Sequence, residues 1–159
     1  PIATGSANNG TADSVRITSA GSIRPTSGVA VTIDSNHAVT NEGTIQTTGV
    51  SNSAGIVAQA GVTATITNRG TITLDENYTP TDTDNDGDLD GPFAQGQGRF
   101  GIRTLGALTG SVVNSGAITI EGNANLCPGF FDRRNQVLQV FRHSRIGMMI
   151  REAPIQLTE

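Results

Sequence analysis

Four stretches of the chain repeat one pattern: "VRITSAGSI" at 15–23, "AVTNEGTI" at 38–45, "TITNRGTI" at 65–72 and "SVVNSGAI" at 111–118. Each runs from an apolar residue through Thr or Val, then Asn or Ser, any residue, Gly, a small residue and Ile. The glycines, Gly21, Gly43, Gly70 and Gly116, stand 22, 27 and 46 residues apart, so the unit is about 22 residues and the last interval holds an insertion. A weaker element recurs between them, "SGVAV" at 27–31, "AGIVA" at 54–58 and "FGIRT" at 100–104. A period of this length restricts the chain to architectures in which one supersecondary unit stacks on the next.

Each unit holds three short strand-like pieces with a two-residue alternation and no helical period. Ile17, Ile23, Val39, Ile45, Ile66, Ile72, Val112 and Ile118 fall on matching positions. One coil cannot bury these side chains alone. Stacked coils can, because each strand pairs with its counterpart about 4.8 Å away. The predicted fold is an all-β, right-handed parallel β-helix, a solenoid of about four short coils over residues 1–124. The 20 Gly, 21 Thr and 12 Asn, with no Trp and no Lys, suit short strands and tight turns. Ser19, Asn41, Asn68 and Asn114 stand two residues before the glycines. Their side chains either ladder along the stack or simply start the turn. A sandwich would need mirrored strand pairs around two-residue hairpins, whereas the halves here match from coil to coil.

The insertion covers about residues 75–99, and inserts in a solenoid become loops on one side of the stack. Within it, "TDTDNDGDLDG" at 81–91 places Asp82, Asp84, Asp86, Asp88 and Asp90 on alternate positions around Gly87. Carboxylates this close repel one another unless a cation or open solvent relieves them. Read from Asp82, the segment follows the calcium-loop pattern over nine positions: carboxylates at 1, 3 and 5, Gly at 6, a backbone carbonyl from Asp88 at 7 and Asp90 at 9. Alternation suits a hard cation that takes six to eight oxygens, and Gly permits the sharp turn. Phe93 replaces the twelfth-position Glu of an EF-hand and no helices flank the loop, so the resemblance is to calcium loops of extracellular dockerin-like and thrombospondin-repeat-like modules. The expected ligand set is Asp82, Asp84, Asp86, Asp88 and Asp90 around Ca²⁺, completed by water, Asp75 or Glu76. The competing expectation is a solvated acidic loop.

Residues 1–124 carry five Arg against eleven acidic residues, with one Tyr and two Phe. That balance offers no basic stripe and few stacking platforms for nucleic acid. No apolar run approaches the 18 or so residues of a membrane span, and no signal-peptide pattern is read. A β-helix lyase would want a base beside its calcium, and the chain has no Lys; Arg69 and Arg103 lie on the repeat as ordinary strand or turn residues. A glycosidase needs two carboxylates across a cleft, and Asp13, Asp34, Glu42 and Glu121 fall into no such grouping. His37 reads as a turn residue, and His143 has no partner discernible in the tail. The expectation is therefore a non-enzymatic module. Thr-x-Thr pairs at Thr65, Thr67, Thr71 and Thr73 suggest an ice-binding ladder, but Ala38 and Val113 break it.

After "ITIEGN" at 118–123 the repeat stops. Residues 125–159 hold both Met, the only Cys (Cys127), three of the five Phe and half of the Arg. Val137, Leu138, Phe141, Arg145 and Met148 follow an approximate helical spacing. Two readings stand side by side: a helix capping the open end of the solenoid, or a frameshifted, foreign or disordered tail.

The "NxGxI" units with interspersed "GI" strands, and the insertion followed by "GPFAQGQGRFGIR", resemble the passenger domains of bacterial type V autotransporters over residues 1–124. The resemblance implies a secreted or outer-membrane-surface location on a Gram-negative bacterium, and a structural or adhesive role toward a host or cell-surface glycan or protein. The chain would then be a passenger fragment or truncated product, beginning at Pro1 as a mature or excised segment does. End-to-end self-association is a further expectation, because an incomplete solenoid exposes pairable edges.

Overall fold

The structure is a computed structural model that describes residues 1–90, 96–121 and the backbone of 140–141. Its strands are β1 (Ile2–Ala3), β2 (Val15–Ile17), β3 (Ser22–Ile23), β4 (Val29–Ile33), β5 (Val39–Asn41), β6 (Thr44–Thr48), β7 (Ala54–Ala58), β8 (Thr63–Asn68), β9 (Thr71–Asp75), β10 (Phe100–Thr104), β11 (Thr109–Asn114), β12 (Ala117–Ile120) and β13 (Val140–Phe141). Helical structure among the described residues is one 3-10 turn at Thr4–Ser6.

All strand pairing is parallel and in register. The first sheet runs β1-β4-β7-β10, the second β2-β5-β8-β11 and the third β3-β6-β9-β12-β13. Three consecutive strands make one turn of a parallel β-helix, and four turns are complete. Coil one is β1 to β3, and coil four is β10 to β12. Of the tail, Val140–Phe141 lie parallel on Thr119–Ile120 as β13. The rest of the expected capping helix or foreign tail lies outside the described residues.

The alternation in the sequence explains the strands. In β6 and β9 every second side chain, Ile45 and Thr47 or Ile72 and Leu74, is buried, and those between them are half-exposed or exposed. Stacked in register, these inward residues form columns: Ile23, Ile45, Ile72 and Ile118 in the third sheet, and Val15, Val39, Ile66 and Val112 in the second. Each fully buried Ile or Val contributes about 1.5–3 kcal/mol, against a backbone ordering cost of about 1–2 kcal/mol per residue. A single coil, with few such residues over some twenty positions, stays on the losing side; columns shared between coils change the balance.

The corner between the second and third sheets is held by an amide ladder. Asn41 and Asn68 are fully buried. Asn41 Nδ2 donates to Asn68 Oδ1, and Asn68 Nδ2 donates to Asn114 Oδ1, each at 2.7 Å. Their second amide hydrogens reach Thr71 O at 3.2 Å and Ala117 O at 3.4 Å. The backbone carbonyl of Asn41 accepts from both Arg69 and Gly70, and that of Asn68 from both Ser115 and Gly116. The glycine two residues on is fixed by proximity: a Cβ at Gly70 would stand 2.1 Å from Gly43 O, and one at Gly116 would stand 2.1 Å from Gly70 O.

Register corrects two of the alignments. Ile17, not Ser19, lies beneath Asn41, and Val15 rather than Ile17 continues the Val39 column. Coil one reaches its glycine through Thr18, Ser19 and Ala20 where coil two uses Glu42 alone. The amide ladder therefore ends at an aliphatic side chain, and Asn41 Oδ1 is buried without a hydrogen-bond partner. In the first sheet Val29 pairs with Ala54, which sets Ala30, not Gly28, beside Gly55. Small residues recur there because a Cβ at Gly55 would meet an Ile72 methyl at 2.5 Å, and one at Gly101 an Ile118 methyl at 2.4 Å.

The ladder's geometry predicts that Asn68→Ala, which removes two amide bonds and strands the groups above and below, destabilises the fold by about 2–5 kcal/mol. Gly70→Ala is expected to cost at least as much, and Gly61→Ala, where the added Cβ has open space but φ is +78°, less. Urea unfolding of the three variants checks the order; an Asn68→Ala midpoint equal to wild type would refute the ladder's role.

Candidate metal-binding loop

The insertion hangs from the corner between the third and first sheets, and its base is built before any acidic residue is reached. β9 ends at Asp75, whose Oδ2 accepts from Gln46 Nε2 at 2.8 Å. The next residue, Glu76, faces Arg99 from the other end of the insertion, with Oε2 3.1 Å from Nη1 and Oε1 3.4 Å from Nη2. Glu76 Oε2 also accepts from Gly96 N at 2.7 Å. Chain departure and return are thus tied by a largely buried ion pair. Asp75 and Glu76, expected as supplementary ligands, are engaged at this base and lie outside the acidic cluster described next.

The acidic segment curls through its own side chains. Asp82 Oδ2 accepts from Gly87 N at 3.1 Å, Asp84 Oδ1 from Asp86 N at 3.3 Å and Asp86 Oδ1 from Asp88 N at 3.1 Å. Two left-handed residues, Asn85 (φ 58°) and Gly87 (φ 99°), make the bend. Asn tolerates that region through its short polar side chain, and Gly through its missing Cβ. Asp90 closes the segment: its Oδ2 accepts from Thr83 N at 2.7 Å and from the Thr83 hydroxyl, while its own N–H donates to Thr81 O at 3.1 Å.

Asp82, Asp84 and Asp86 each bring one carboxylate oxygen within 4.8 Å of the others. Oxygens bound to one calcium at about 2.4 Å stand at most about 4.8 Å apart, so the trio is a workable donor set for a hard cation. Among the described residues this is the one group of three or more acidic, His or Cys side chains so arranged. Asp88 and Asp90 stand outside it; Asp90 serves as the clasp on Thr83. Asp82 Oδ1 is enclosed and without a hydrogen-bond partner. Two carboxylates at this separation repel by roughly 1 kcal/mol in water, a cost that a shared cation reverses.

Electrostatics single out Asp90. The Thr83 hydroxyl, then the Thr83 backbone N–H, hold its carboxyl below the ordinary 3.8, with a smaller contribution from the Asp84 backbone. Each of these bonds favours the ionised form. A depressed value means that the clasp is fully present above the unfolded pKa and is lost as pH falls through the folded one.

Asp34, His37, Glu42, Arg69 and Arg103 make contacts away from the acidic cluster. Thr4 Oγ1, fully buried, donates to Asp34 Oδ1 at 3.2 Å and accepts from Ser35 Oγ at 2.8 Å. Ser35 thereby spends its proton on Thr4. His37 Nδ1 lies 3.1 Å from the same Ser35 Oγ. Arg69 stands 3.8 Å from Glu42, which also binds Arg16 at 2.8 Å, and Arg103 stacks 4.5 Å from the centre of the Phe100 ring. What sequence reasoning missed is Arg99, whose only local signal is that it and Glu76 bracket the insertion.

Comparison of the chain with protein-family models, characterised proteins and solved structures finds no match in any of the three.

Thr83→Val is expected to raise the Asp90 titration midpoint toward 3.8 while leaving the strand signals unmoved. Carboxyl-detected NMR titration checks it; an unshifted Asp90 would show that the clasp does not form in solution.

Proposed function

We propose that the chain is a secreted or cell-surface β-helix module, structural or adhesive in role and of the autotransporter-passenger kind, whose side loop takes up Ca²⁺. The observation that carries this reading is the convergence of Asp82, Asp84 and Asp86 on a loop projecting from a rigid parallel β-helix. Hard oxygen donors with no imidazole or thiolate among them favour Ca²⁺ over transition metals. Three carboxylates also leave room for the water and backbone oxygens that a coordination number of six to eight requires. Asp88 contributes through its backbone carbonyl in this reading, and Asp90 by holding the loop shut. Millimolar-range affinity suits an extracellular setting, where calcium is abundant.

For the adhesive role, the outward face of the third sheet supplies the chemistry. Thr44 and Thr71 pair across coils, as do Gln46, Thr73 and Thr119. The result is two columns of hydroxyl and amide groups at the coil spacing of about 4.8 Å, suited to hydrogen bonding along an extended glycan. Thermal unfolding followed by far-UV circular dichroism tests the calcium reading. The melting temperature should climb with Ca²⁺ and stay put with equal Mg²⁺. A site with a Kd near 10⁻⁴ M contributes about 2.7 kcal/mol at a hundredfold excess, close to 10 mM. Asp84→Asn should shift the response to at least roughly tenfold higher Ca²⁺. No shift up to about 10 mM would leave a solvated acidic loop. For the adhesive reading, retention on a glycan array should be lost in the Thr73→Glu, Thr119→Glu double variant, and equal retention would count against that face.

A further inference from the structure

Arg99 is 1 % exposed and stands where the chain passes from the third sheet to the first. Its Nε donates to Val50 O at 2.8 Å, in the equivalent turn one coil below. Its Nη1 donates to Glu121 O at 2.7 Å, at the equivalent point one coil above. Between these contacts the guanidinium meets the Glu76 carboxylate of its own corner. Glu121 is held a second time, because its Oε2 accepts from Glu76 N at 3.1 Å. One cation therefore spans three successive corners, and Glu76, which also accepts from Gly96 N, closes the insertion with the same carboxylate. Solvation of a buried guanidinium is replaced here by two backbone carbonyls and a carboxylate, the arrangement a buried Arg requires.

We propose that Arg99 is a conformational latch: it seats the fourth coil on the third and closes the base of the insertion, whatever the acidic segment binds. A solenoid coil contacts only its neighbours, so losing one axial tie opens that coil while the rest of the stack stays folded. A loop of some twenty residues would otherwise separate coils three and four and weaken their coupling through its closure entropy. With its ends joined at Glu76 and Gly96, the loop's length and contents are decoupled from the seating of the strands that follow.

Amide hydrogen exchange read by mass spectrometry on the full chain tests the latch, with second-coil amides as internal reference. In Arg99→Met, protection in β10, β11 and β12 should fall on the order of 100-fold relative to β4, β5 and β6, because the guanidinium's ties to Val50 O, Glu121 O and the Glu76 carboxylate are all removed. Glu76→Gln retains one acceptor oxygen and removes the charge, and should give a smaller loss confined to the same strands. A variant with residues 77–95 replaced by a short Gly/Ser linker, keeping Glu76 and Gly96 to Arg99, should hold fourth-coil protection near wild type. So should wild type in a chelator, and this arm is independent of whether the loop binds calcium. The proposal is overturned if Arg99→Met or Glu76→Gln lowers protection equally in every coil, or not at all. It is also overturned if the linker variant unseats the fourth coil as Arg99→Met does.

Discussion

Every backbone hydrogen bond of the sheets runs along the stack, from one coil to the next. Within a coil the three strands lie end to end around the turn and do not pair with one another. A coil therefore has no stability of its own, and the molecule is a series of interfaces. This is why the side chains that matter most are those that reach axially: the aliphatic columns, the Asn41-Asn68-Asn114 amides and the Arg99 guanidinium. The Arg16–Glu42 pair also joins one coil to the next, but it lies on the exposed surface, where an ion pair contributes about 0–1 kcal/mol.

The corners divide this work by different chemistry. Between the second and third sheets the chain turns tightly, and a repeated Asn with a following Gly solves the same steric problem in each of three coils. Between the third and first sheets the turns differ in length, so no repeated residue could serve, and a long side chain with five donors bridges the unequal corners instead. The insertion enters at the one place where the stack already depends on a bespoke contact. Its acidic tip is organised by short-range side-chain to backbone bonds and needs nothing from the β-helix except a fixed base.

Much of the architecture was legible because translation along the stack writes itself into the sequence. The Ile23, Ile45, Ile72 and Ile118 column and the Asn ladder of coils two to four could be read from spacing to the glycines. Counting from glycine failed in coil one, where the corner is two residues longer and the register is set by strand pairing, so that Ile17 takes the place expected for Ser19. The same error moved Gly28 into the place of Ala30. The acidic loop was legible in its alternation, although the structure gathers three of its five aspartates in one cluster and commits Asp90 to Thr83. The role of Arg99 was missed, since beyond its bracketing the insertion with Glu76 its contacts with Val50 and Glu121 arise only once three coils are superposed.

The amide ladder also has a polarity. Asn41 and Asn68 give their N–H groups toward the C-terminal end, Asn68 and Asn114 accept on their oxygens from the N-terminal side, and on that side Asn41 finds only Ile17. The third coil is thus a coupling with a donor on one side and an acceptor on the other, whereas coil one has an aliphatic side chain in that place. A gene duplication that copied the third coil could splice into the stack without breaking the column, and one that copied the first would interrupt it. In this respect the amide column stops at the first coil by chemistry, and only copies of the coils that carry the Asn would lengthen it.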